Sequence, residues 1–171
     1  TATTAAPATP TTAAPTATTA APATPTTAAP TTGSLSITAP EAPVNLGSGT
    51  PKSGAGTISG SLGEVHVTDT REAGTATGWI ASVSSAGFTT PTGLRIPATA
   101  LKYDAGDITG PDSAKYLPND SDHLSGTATP VVTAIEITGP NDAIWNPTIT
   151  LTIPVGTLAG EYSAILTHSV L

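Results

Sequence analysis

Trp79 and Trp145 are the only tryptophans in the 171-residue chain, and an indole face packs well against the C–H groups of a sugar. An exposed pair would make a stacking platform for a polysaccharide. A buried pair would instead fill a core, each ring contributing on the order of a few kcal/mol by leaving water. Trp79 stands in phase with Ala81 and Val83, which favours the core, yet residue type leaves both uses open. Two acidic segments offer oxygen ligands of the kind calcium takes: YDAGDITGPD, with Asp104, Asp107 and Asp112, and PNDSDH, with Asn119, Asp120, Asp122 and His123. Neither has the spacing of an EF-hand loop. Both are expected to be solvated turns, and no metal site is assigned.

His66, His123 and His168 form no HxxxH or HExxH pair, and no GxSxG or SxxK marks a nucleophilic serine. No catalytic or cofactor-binding residue is assigned, and the expectation is a protein that is not an enzyme. Asn119-Asp120-Ser121 fits the N-glycosylation acceptor pattern, whereas proline disqualifies Asn146-Pro147-Thr148. Five Lys/Arg against 12 Asp/Glu give a net charge of −7, and no basic cluster carries interleaved aromatics. Nucleic acid and anionic lipid are therefore not expected partners. The absence of cysteine excludes disulfides, zinc thiolates and thiol catalysis. No apolar run reaches the roughly 18 residues of a membrane span. The chain opens at Thr1 and contains no methionine, the pattern expected of a mature exported form located outside the cell or on its surface.

The elements that must position these residues read as strands. Segments 34–38 (SLSIT), 63–70 (GEVHVTDT), 78–85 (GWIASVSS), 131–138 (VVTAIEIT), 148–154 (TITLTIP) and 161–171 (EYSAILTHSVL) are predominantly small, β-branched or apolar, several with period-two alternation, and turn residues separate them. In the cleanest, Thr148, Thr150 and Thr152 alternate with Ile149, Leu151 and Ile153, giving one core face and one hydroxyl face. The last segment places Tyr162, Ala164, Leu166 and Val170 in register. Residues 97–106 (PATALKYDAG) suit a short turn or a strand, and 111–120 (PDSAKYLPND) could form one helical turn after an Asp cap. About seven to nine short strands over 33–171 predict an all-β, antiparallel Ig-like β-sandwich, with closure into a barrel as the alternative.

Ahead of that domain, residues 1–32 contain only Thr, Ala and Pro, with one 15-residue unit repeated at 1–15 and 16–30. Such an arm cannot bury enough surface to offset the entropy of ordering itself. Its six prolines favour extended polyproline-II conformations, so it would reach on the order of 100 Å. A Thr/Pro/Ala setting is also the composition of O-glycosylated stalks. The candidate acceptors are Thr1, Thr3, Thr4, Thr9, Thr11, Thr12, Thr16, Thr18, Thr19, Thr24, Thr26, Thr27, Thr31 and Thr32.

Three stretches, 33–49 (GSLSITAPEAPVNLGSG), 56–89 (GTISGSLGEVHVTDTREAGTATGWIASVSSAGFT) and 145–171 (WNPTITLTIPVGTLAGEYSAILTHSVL), resemble the WxL-type surface domains of Gram-positive bacteria, particularly their actinobacterial relatives. The resemblance covers nearly all of 33–171. It implies an exported β-sandwich that attaches non-covalently to the cell envelope or assembles there. Trp79-Ile80-Ala81 has alanine where that family has leucine, and Trp145-Asn146-Pro147 lacks the following leucine. The expected function is a structural subunit that packs against copies of itself in a filament or surface layer, with covalent glycans on its arm. The alternative is a module that binds peptidoglycan or another wall polysaccharide through Trp79 or Trp145.

Overall fold

Alternation along the chain generates thirteen strands and one 3₁₀ turn in the computed structural model, which describes residues 33–49, 56–72 and 78–171. The threonine-rich arm, with all 14 candidate acceptors, lies outside the described residues. The fold is all-β, without an α-helix among the described residues, and every strand pairing is antiparallel.

One sheet holds β1 (Leu35–Thr38), β3 (Val65–Asp69), β11 (Asn141–Trp145) and β8 (Ile108–Thr109), in that order. A second holds β2 (Gly56–Ser61), β12 (Thr148–Ile153) and β7 (Leu101–Asp104). These two are continuous. Trp145 pairs with Val65 and Thr148 with Ser61, so residues 62–64 oppose only 146–147, and the extra residue is a bulge that bends the ribbon. On the other side of β11–β12, residues 105–107 oppose the same two positions. Gly63 and Gly106 take φ of 94° and 67° at the two bends, a conformation that glycine adopts without strain. The bend is pinned by the Asn146 side-chain carbonyl, which accepts from the Gly63 amide at 3.1 Å and from the Ser61 hydroxyl. Leu62 donates across it to the Pro147 carbonyl at 2.9 Å.

The third sheet runs β13 (Leu166–Val170), β4 (Trp79–Ser85), β10 (Thr129–Ile135), β9 (Lys115–Pro118). A two-stranded ribbon, β5 (Phe88–Thr89) with β6 (Arg95–Ile96), completes the set. Inward side chains from the bent sheet and from the third sheet enter one core: Val65 and Val67 of β3, Ala81 and Val83 of β4, Leu101 of β7, Ile149 and Leu151 of β12. Each buried aliphatic side chain contributes about 1.5–3 kcal/mol to holding the sheets together.

Several expectations shift in detail. Residues 111–120 form a turn and then β9 rather than a helical turn, because Tyr116 alternates inward while Lys115 and Leu117 face out. Residues 98–100 make the 3₁₀ turn that leads directly into β7. Strand β10 stops at Ile135 since Glu136 takes a φ of 55°, and β13 begins only at Leu166.

Candidate functional site

Strand parity sends Asp69, Asn141 and Trp79 inward, and they find one another. Asp69 follows Val65 and Val67 on the inner face of β3 and is 1% exposed. Its cross-strand partner on β11 is Asn141, also buried. Asp69 Oδ1 accepts from the Arg71 amide at 3.0 Å and from Arg71 Nε at 2.8 Å. Its Oδ2 accepts from Arg71 Nη2 at 2.9 Å and from Asn141 Nδ2 at 3.2 Å. Asn141 Oδ1 in turn accepts from the Trp79 indole N–H at 3.0 Å, which carries the chain across the core to β4. Burial alone would raise the Asp69 carboxyl. The hydrogen bonds and charge of Arg71, with Asn141 behind them, outweigh it and hold the pKa below the ordinary value of 3.8. A carboxylate with four donors is a satisfied ion, and its negative charge is already matched.

A second polar chain crosses the core elsewhere. Trp145 on β11 donates its indole N–H to the Tyr103 hydroxyl at 2.9 Å, and that hydroxyl lies 3.2 Å from Nε2 of His168 on β13. The Tyr103 hydroxyl accepts from Trp145 and keeps its own proton available for Nε2, a bond it donates when His168 is the neutral Nδ1–H tautomer. Burial pushes the Tyr103 phenol above its ordinary value and the His168 imidazole down to about 4. Both tryptophans are thus core residues, 2% and 1% exposed, with their one polar atom consumed internally. Neither indole presents a face to solvent, so the stacking platform does not form on this surface. Trp79 packs instead near Tyr116, ring centroids 6.0 Å apart.

The remaining candidates stay at the surface and apart. Asp104 and Asp120 accept from the backbone amides of Gly106 and Ala105, which is turn-capping work. Asp122 pairs with Lys102 at 3.2 Å, both largely solvated, and His123 Nδ1 donates to the Thr99 carbonyl at 2.7 Å. These last residues line a shallow open cleft of about 320 Å³ together with Thr152 and Pro154. No group of three or more His, Asp or Glu poised to hold a metal occurs among the described residues. His66 sits 3.5 Å from Asp142 in an exposed pair, and Asn119 donates to the Thr133 hydroxyl at 2.7 Å. No buried side-chain polar atom lacks a partner among the described residues.

The internal chains were missed by motif reading although their signal was present. Asp69 continues the Val65, Val67 parity, and His168 lies between Leu166 and Val170 on the inward parity of the last strand. Compared with known proteins, the chain matches no family model, no curated protein and no solved structure.

Proposed function

We propose that this protein is a non-enzymatic structural protein of the cell surface, a self-assembling subunit of an extracellular filament or layer. In this reading the bent sheet and the third sheet are the two leaves of a β-sandwich, and the uncharged Thr/Ala/Pro arm ahead of it carries O-linked glycans. The observation that carries it is how the chemistry-bearing residues are used. Two of the polar bonds, Trp79–Asn141 and Tyr103–His168, join the third sheet to the bent sheet, and two more, Asn141–Asp69 and Trp145–Tyr103, tie strands within the bent sheet. Such cross-braces make a stiff block, which suits a subunit that transmits load to its neighbours. The likeness to WxL-type surface domains supports the location. Residues 1–32 support the glycan, since they offer 14 hydroxyls and no competing charge.

Electron microscopy of the native material, with its intact mass, tests the proposal. Expected are ordered polymers or sheets, and a mass above 16.7 kDa in hexose-sized steps that map to residues 1–32. Monodisperse particles with an unmodified mass would refute it.

A further inference from the structure

The outer face of the third sheet differs from the other outer faces. Leu171 exchanges both backbone hydrogen bonds with Ile80, at 2.9 and 3.1 Å, Ile80 is registered with Thr133, and Thr133 with Leu117. One row across all four strands therefore carries three aliphatic side chains, 85%, 42% and 36% exposed for Leu171, Ile80 and Leu117. The next row is small. Ser169 faces Ser82, which lies sunk beside Pro130 at 7% exposure. A ridge thus runs beside a groove. Among the described residues, the only charge that strand parity places on this face is Lys115, at its margin opposite Ile135. The outer faces of the first two sheets carry Asp142, Asp104 and Lys102.

We infer that this face is a contact between copies of the chain, two third sheets packing outer face to outer face with the Leu171–Ile80–Leu117 ridge of each in the serine groove of the other. The inference rests on the self-assembly reading and names its surface. Charge selects the occupant. Each copy carries −7, so two copies repel at most approaches, and the side chains of the described strands on this face include no carboxylate on either side. A two-fold arrangement also matches aliphatic ridge to uncharged groove on both partners at once. The area sets the strength. Four strands about 4.8 Å apart and about five residues tall give on the order of 300 Å². That is under half of the roughly 800 Å² per partner in a stable pair. The contact is weak alone and holds where each copy has further neighbours, as in a polymer.

Because the chain has no cysteine, a single introduced thiol reports cleanly. In the full chain, Ile80→Cys and, on the outer face of the second sheet, Ser59→Cys are treated with a short bismaleimide under assembling conditions. The Ile80→Cys variant is expected to link copy to copy about tenfold more than the Ser59→Cys variant, and Ile80→Asp to raise the concentration needed for assembly about tenfold while its tryptophan emission stays native. Equal linking by both variants, or an unaltered assembly of Ile80→Asp, overturns this face while leaving the self-assembly reading intact. A wild-type chain that stays monomeric at every concentration overturns both. Protection of the Ile80→Cys thiol from alkylation in dilute monomer would mean that another part of the same chain covers the face, and would also overturn the proposal.

Discussion

Acid should loosen this domain in a defined window through His168. The imidazole is neutral in the fold, held at about 4 by burial, while in the unfolded chain it titrates near 6.5. A base whose folded pKa is depressed gives stability that is fully present above the unfolded value and drains as pH falls from about 6.5 to about 4. Below that the native state takes up the proton as well, and the slope flattens. The drop corresponds to about 3 kcal/mol, a large share of a typical domain's 5–15 kcal/mol. The neighbours bring no offsetting carboxylate: β7 brings Tyr103, β11 brings Trp145, and the cross-strand neighbour on β4 is Val83. The assay is urea unfolding followed by tryptophan emission, for wild type and His168→Gln, at several pH values between 7.5 and 4. Glutamine accepts from Tyr103 but does not titrate, so its stability is expected to change by less than about 1 kcal/mol across the same window. A variant that loses as much as wild type between 6.5 and 4 would refute the reasoning.

Replacing Asn141 with leucine strands the Trp79 N–H inside the core and removes one of the two donors to Asp69 Oδ2, which keeps Arg71 Nη2; the expected loss is about 2–5 kcal/mol, about 1–3 for the orphaned N–H and about 1.5–3 for the lost bond to the carboxylate, read as a shift of the urea midpoint. Below pH 4 the same circuit gives an acid limb. Asp69, with its depressed pKa, stabilises above its unfolded value of 3.8 and ceases to as pH falls through its folded value, so Asp69→Asn should flatten that limb in a pH titration of stability. Gly87→Ala puts a Cβ 2.5 Å from the Ile96 carbonyl oxygen at a φ of 87°, and thermal melting should show a loss of about 1–3 kcal/mol. Gly126→Ala, into open space, should melt with wild type. Asn146→Ala removes the acceptor that pins the bend, at an exposed position where water substitutes in part, so the expected loss by urea unfolding is about 0.5–1.5 kcal/mol.

Strands with strict alternation were legible from the sequence. In β3, β4 and β12 the residues expected to point inward, Val65, Trp79 and Ile149 among them, are buried in the core. Strand β2 (GTISGS) was not, because its glycines mimic turn chemistry while Leu46 and Ile58 supply the packing against Gly60 and Gly49. Strand β11 (NDAIW) hid behind Gly139, Pro140 and Asn141, which read as a turn, although Asn141 is a core residue bonded to an indole. Motif templates look for reactive spacing along the chain. Here the pairs that matter are 62, 65 and 72 residues apart, and only the fold brings them together.

The bend shared by β2–β3 and β11–β12 also sets a timetable for folding. Its two arms lie about 85 residues apart, Ser61 to Asn146, so the central ribbon cannot zip from a local hairpin. Chains dominated by such distant pairings fold in milliseconds to seconds rather than microseconds. A nascent chain released or clipped before Asn141 has no smaller stable half to fall back on. Its β3, without β11, would present an unpaired edge of the kind that recruits other strands, an exposure that ends once β11 and β12 have emerged.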